Sequence, residues 1–281
     1  MKNLVRAANI QLTELNSWFN TTDFNITCTG TRRSTFLQFR WRRKRRRGDV
    51  NKLRLSDKMM MFSAQSPHVV LLKTADCFDS VADRVTEHLL EIFRRIGGIQ
   101  LVCSGKKIEN MPFWKYHNSI DSICAFEDPE TLSIEQVKFI FEKTKISVRI
   151  WPRLVDGFRY SEGFKQKRVH IDHSEWIHFD AILNSTSSEI LLGKVPGPRA
   201  AEMNNLLKLW IAKEKMENLE EFYLGLDKND IGITGEIFEE IMEGIGYEEV
   251  EPYVVKVQRC DGTVARIEMF AFNFYFNVES V

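Results

Sequence analysis

Apolar positions recur at helical spacing from Asp79 onward. Val81, Val85, Leu89, Ile92, Phe93 and Ile96 form one stripe, Ser80 can cap its start, and Gly97 suits the left-handed position past its end. A helix is predicted over that stretch. The period changes to two at Ile99-Gln100-Leu101-Val102-Cys103, which predicts a strand. Ser133 and Gln136 have capping-box spacing ahead of Val137, Ile140 and Phe141, so a second helix is expected there. Ile146-Ser147-Val148-Arg149-Ile150 then alternates strictly and carries β-branched residues, the pattern of a half-buried strand.

Helix and strand signals keep alternating. Short strands are predicted to start at Ile99, Ile120, Ile146, Arg168, Ile190 and Leu219, at offsets of 21, 26, 22, 22 and 29 residues. One short strand per such interval is the spacing of a leucine-rich-repeat-like solenoid, in which units stack because none buries both faces alone. Leu219-x-x-Phe222-x-Leu224 fits the repeat core, but no Asn follows to form a ladder. The expected fold class is therefore α/β: an irregular leucine-rich-repeat-like strand–helix solenoid ending in a β-hairpin. If its strands line one concave sheet, Gln100, Ser147, Arg149, Trp151, His170, Asp172 and Tyr223 point outward. Ile99, Leu101, Ile146, Val148, Ile150, Val169 and Ile171 then form the inner face.

The hairpin's register follows from side-chain pairing. A two-residue Asp261-Gly262 loop would set Val257 against Arg266. A three-residue loop, Cys260-Asp261-Gly262, pairs Arg259 with Thr263, Val257 with Ala265, Val255 with Ile267 and Tyr253 with Met269, with Gly262 left-handed. The second register is expected. Phe270, Phe272, Phe274 and Phe276 continue at period two but in the opposite parity, which implies a bulge or break near Met269.

Composition adds polarity. The formal net charge is zero, yet residues 1–58 hold 14 Lys or Arg against 4 Asp or Glu, while residues 200–251 hold 14 acids against 4 bases. The first 58 residues show no clear periodicity and contain Arg40-Trp41-Arg42-Arg43-Lys44-Arg45-Arg46-Arg47, which predicts a loop or an exposed strand end. The five cysteines are scattered, with no C-x-x-C pair, as in a reducing compartment. Neither a signal core nor a membrane-length apolar stretch is legible, so an intracellular protein, cytoplasmic or nuclear, is expected.

Catalytic and metal chemistry find little support. His170, His173, Asp172 and His178 are close in sequence, but on a strand His170 and His173 point to opposite faces. Asp227-x-Asn229-x-Ile231-Gly232 begins like a calcium loop, yet Ile231 and Phe238 stand where oxygen ligands belong, and Thr234 can cap a following helix. Gly193-Lys194-Val195-Pro196-Gly197-Pro198 lacks the phosphate-loop order. The expectation is no enzyme, no metal and no cofactor.

Four segments in order, and a fifth upstream of them, carry a resemblance. Asn204-x-x-Leu207-Lys208-x-Trp210-Ile211 resembles the signature helix of the F-box-associated domain (type 2) of nematode F-box proteins, and Leu219-Glu220-x-Phe222 its next strand. Gly244-Ile245-x-Tyr247-x-Glu249-Val250 and Arg259-x-Asp261-Gly262-Thr263-x-Ala265-x-Ile267 are similar to its later segments, and Leu89-Leu90-x-Ile92-Phe93 to its first helix. The resemblance covers about residues 80–268 and implies a domain that presents substrate proteins to a ubiquitin ligase. Such domains usually follow an F-box that docks on the Skp adaptor. Residues 1–58 show no F-box pattern, so that docking is not expected. The domain organisation expected is a diverged, partly disordered basic region over 1–58, the F-box-associated α/β domain over 59–269, and an aromatic tail over 270–281.

The functional expectation is a protein-recognition module with a protein partner and no membrane. Arg149, Trp151, His170, Asp172 and Tyr223 are its candidate binding residues. The alternative is a nucleic-acid-binding or nuclear protein acting through the basic arm, with Arg42, Arg43, Lys44, Arg45, Arg46 and Arg47 as the patch. The acidic C-terminal half argues against nucleic acid as the main ligand.

Overall fold

Contacts divide the chain into two compact units, Met1–Asp128 with Glu142–Thr144 and Pro129–Phe141 with Lys145–Val281. The structure, a computed structural model, describes residues 12–19, 24–30, 35–41, 51–55, 58–66, 69–73, 78–92, 96–126, 132–154, 157–197 and 199–279.

In the first unit the chain lays down β1 (Leu12–Phe19), β2 (Phe24–Gly30), β3 (Thr35–Trp41), β4 (Asn51–Leu55), β5 (Lys58–Ser66) and β6 (Val69–Lys73). Helix α1 (Phe78–Ile92), β7 (Ile96–Ser104) and β8 (Ile120–Phe126) follow. Their spatial order is β8-β7-β1-β2-β3-β6-β5-β4. Leu15, Ile26, Val85 and Leu101 are fully buried in its core. Four of these strands lie within residues 1–58, where the hydrophobic pattern alone predicts none. Helix α1 starts at Phe78, which leaves Ser80 inside its first turn. It ends at Ile92, ahead of Gly97. The reason is long-range: Ile96 is drawn into a parallel ladder with β1, opposite Leu12, so the strand claims residues that the stripe assigns to the helix. The basic patch Arg42–Arg47 lies outside the described residues.

The second unit holds most of α2 (Ile134–Lys143) and of β9 (Thr144–Ile150), and all of β10 (Arg168–Ile171), α3 (Phe179–Leu183), β11 (Glu189–Val195) and α4 (Ala200–Ile211). It continues with β12 (Glu221–Leu226), α5 (Gly235–Met242), β13 (Tyr247–Glu251), β14 (Val254–Gln258), β15 (Val264–Phe270) and β16 (Asn273–Val278). The capping box forms as the spacing predicts: Gln136 N donates to Ser133 Oγ at 3.2 Å, and Ser133 N to Gln136 Oε1 at 2.9 Å. Thr234 likewise accepts from Ile237 N and starts α5.

Strands β9, β10, β11 and β12 are added in chain order, each parallel to the last. β16 then joins β12 antiparallel, followed by β15, β14 and β13. Rungs across this array alternate in chemistry. Val148, Val169, Ile190, Phe222, Phe276, Ile267 and Val255 make one rung, and all are buried. The next rung reads Arg149, His170, Leu191, Tyr223, Tyr275 and Glu268, and none of these is buried. One sheet face is therefore core and the other is open, the consequence of period-two side-chain alternation. Each large apolar side chain on the covered face contributes about 1.5–3 kcal/mol by leaving water. Ile146 departs from this pattern. It has inward parity but is 44% exposed, although Thr144, two residues earlier, is buried.

The hairpin of β14 and β15 takes the three-residue loop. Val257 faces Ala265, Val255 faces Ile267, and Arg259 N donates to Thr263 O at 2.8 Å. Gly262 has φ +90°, where a side chain would be strained. The change of parity after Met269 is a turn at Ala271 and Phe272, not a bulge. It sends β16 back between β15 and β12. Phe274 and Phe276 become fully buried, while Phe270 stays 45% exposed.

Candidate functional site

The open face of the second unit brings the candidate residues onto neighbouring rungs. Arg149 on β9 sits directly across from His170 on β10. Its Nε donates to His170 Nδ1 at 2.9 Å, and its Cζ lies 5.7 Å from the centre of the Trp151 ring. Trp151 follows the strand and is 40% exposed. The guanidinium is thus fixed by a hydrogen bond on one side and an aromatic platform on another. No ion pair occupies its terminal nitrogens among the described residues, so they can donate to a carboxylate in fork geometry.

Half-burial and the neighbouring Arg149 charge hold His170 below its ordinary pKa, while Asp172 pulls the other way. The ring is neutral at neutral pH, and the bond from Arg149 places its proton on Nε2. Two strands further along, Tyr223 stacks at a tilt on Tyr275 at 4.8 Å and donates to Asn273 Oδ1 at 2.8 Å. Burial, then Tyr275 and Asp172, raise its phenol pKa, so it remains a hydrogen-bond donor. Gly225 makes room for it: a Cβ there would lie 2.6 Å from the Tyr223 hydroxyl.

Arg149, Trp151 and His170 make one group, and Tyr223 belongs to a second group on the same face. Asp172 lies just past β10, and its carboxylate is 3.9 Å from Lys194 Nζ. Sequence reasoning missed Leu191, Tyr275 and Asn273. Leu191 reads as one more apolar residue in β11. Tyr275 and Asn273 join the face only because β16 pairs with β12. The single available signal was their parity, opposite to that of Phe274 and Phe276.

The other histidines serve separate purposes. His173 is buried, with Arg153 Nε at 3.2 Å from Nδ1 and Lys194 Nζ at 2.6 Å from Nε2. His178 caps α3, its Nδ1 accepting from Asp180 N at 3.3 Å. The Asp227 segment is a polar turn in which the Asp227 carboxylate accepts from Asn229 N at 3.0 Å. Among the described residues no three His, Cys, Asp or Glu side chains are grouped to hold a metal ion. No helix among them is long and apolar enough to cross a membrane.

The family model described as F-box associated matches residues 162–224. That segment runs through β10, α3, β11 and α4 to Leu224 in β12. It includes His170, Asp172 and Tyr223, and it stops short of Arg149 and Trp151. The resemblance read from the sequence is shown for this segment, and an F-box associated domain implies protein partners. No curated protein and no solved structure matches the chain.

Proposed function

We propose, for a chain whose residues 162–224 are an F-box associated segment, that it is a non-catalytic recognition module and works as the substrate-binding part of a ubiquitin-ligase adaptor. It holds a protein partner on the open face through Arg149, Trp151, His170, Asp172 and Tyr223. The observation that supports this most is the preset guanidinium of Arg149, bound to His170 and platformed on Trp151. Arg and Trp are the residue types that most often dominate interface energies. Parallel strands β9 to β12, added in chain order, support reading this part as an irregular leucine-rich-repeat-like solenoid closed by antiparallel strands. The role fits an intracellular protein of nematode F-box type.

The experiment is capture of partners by the full chain, alongside Arg149→Ala and Trp151→Ala. Each variant is expected to weaken a specific interaction by at least about tenfold, with melting unchanged. Partners retained at full strength by both variants overturn the site. A second reading, nucleic-acid binding by the arm 40–47, draws on seven bases in eight residues.

A further inference from the structure

At the end of the second unit where the strands begin, a cleft of about 590 Å³ opens on the side chains of Lys145, Lys165 and Lys167. Eight of its twelve lining residues fall within 162–224, so it is built mainly by the F-box associated segment. The backbone there is a single rung. Ser188 N donates to Lys167 O at 3.0 Å, Glu220 N to Ser188 O at 2.8 Å, and Val278 N to Glu220 O at 2.8 Å. Arg259 also lines the cleft, but its charge is already answered. Its Nε donates to Asp261 at 3.0 Å, its Nη1 to Glu217 O and its Nη2 to Thr263 Oγ1, both at 3.1 Å. Hydrogen bonds from Arg259 first, then from Thr263 and Lys213, hold the Asp261 carboxyl well below the usual range.

The three lysines are different. None has an ion-pair or hydrogen-bond partner for its ammonium among the described residues, although they share one concavity. Like charges gathered in a concave site repel each other and focus a positive potential outward, and an entering anion relieves both. Glu217 and Glu220 stand on the β12 side of the cleft, so it has a lysine wall and a carboxylate wall. The volume lies in the range of sites that enclose organic ligands and is far larger than a single inorganic anion needs.

From this polarity we infer that the cleft is a second binding site, distinct from the open face, and that it takes an acidic peptide segment of a partner protein. A peptide can set Asp or Glu side chains on the lysine wall and turn backbone N–H groups toward Glu217 and Glu220. A continuous phosphate backbone cannot avoid those two carboxylates, which disfavours nucleic acid here.

The test uses the full chain and a fluorescent Glu-rich nonapeptide, read by anisotropy at low salt. Binding is expected, and it weakens as salt screens the lysines. Lys165→Glu with Lys167→Glu raises Kd by about tenfold or more, and Glu217→Lys with Glu220→Lys lowers it. Lys145→Gln, a milder exposed change, weakens binding severalfold and decides the matter should the double lysine variant fail to fold. The inference is overturned if the peptide does not bind, or if neither charge reversal moves Kd. It is equally overturned if inorganic phosphate displaces the peptide at similar concentration, or if a single-stranded oligonucleotide binds more tightly than the peptide and loses that binding in Lys165→Glu with Lys167→Glu.

Discussion

Replacing Phe276 by alanine tests the central packing claim, that the aromatic C-terminal segment is an inner strand. Phe276 is fully buried in β16, faces Ile267 and Phe222, and meets the Trp210 ring edge-on at 4.9 Å. Losing such a side chain removes its transfer free energy and leaves a cavity, together about 3–5 kcal/mol. The edge-to-face pair with Trp210 accounts for about 0.5–1.5 kcal/mol of that. Phe270 is the internal control. It belongs to the same period-two series but is 45% exposed, so Phe270→Ala is expected to cost no more than about 1 kcal/mol. Denaturant unfolding followed by tryptophan fluorescence reads both, since Trp210 is itself buried in the second unit. A typical domain holds about 5–15 kcal/mol in total, so Phe276→Ala removes a large share of the stability. Equal losses for the two variants, or a loss below about 1 kcal/mol for Phe276→Ala, would refute the placement of β16.

Three further outcomes are expected. Tyr160 packs among Phe141, Phe164 and Trp176, and burial, then Glu162, pushes its phenol up to about 12 from 10.0. The neutral phenol therefore favours the folded state fully below pH 10. That contribution is lost as pH rises toward 12, and an ultraviolet titration in which Tyr160 ionises near 10 contradicts it. The purified chain forms no stoichiometric complex with the Skp adaptor, and neutralising Arg42–Arg47 leaves capture of protein partners intact. A stable adaptor complex abolished by deleting residues 1–58 reverses the first statement. A salt-sensitive gel shift with mixed DNA that disappears on neutralisation favours the nucleic-acid reading.

Several features were legible before any coordinates. Strict alternation in Ile146–Ile150 put Arg149 on one face and Val148 and Ile150 on the other, because successive side chains in a strand must point apart. The cap at Ser133 and Gln136, the cap at Thr234 and the register of Val257 against Ala265 were equally readable, since caps and tight turns depend on residues only a few positions apart. Distant pairing was not. Nothing near Ile96 in sequence announces its ladder with Leu12, and nothing in Asn273–Val278 announces that it lies between β12 and β15. That second choice buries Phe274 and Phe276 and carries Tyr275 and Asn273 to Tyr223. His173 is likewise set between Arg153 and Lys194 only by the approach of three separate segments. Local patterns settle which face a residue shows. Which strands meet is decided by the burial of whole apolar rungs, a sum over the second unit that no short window of sequence contains.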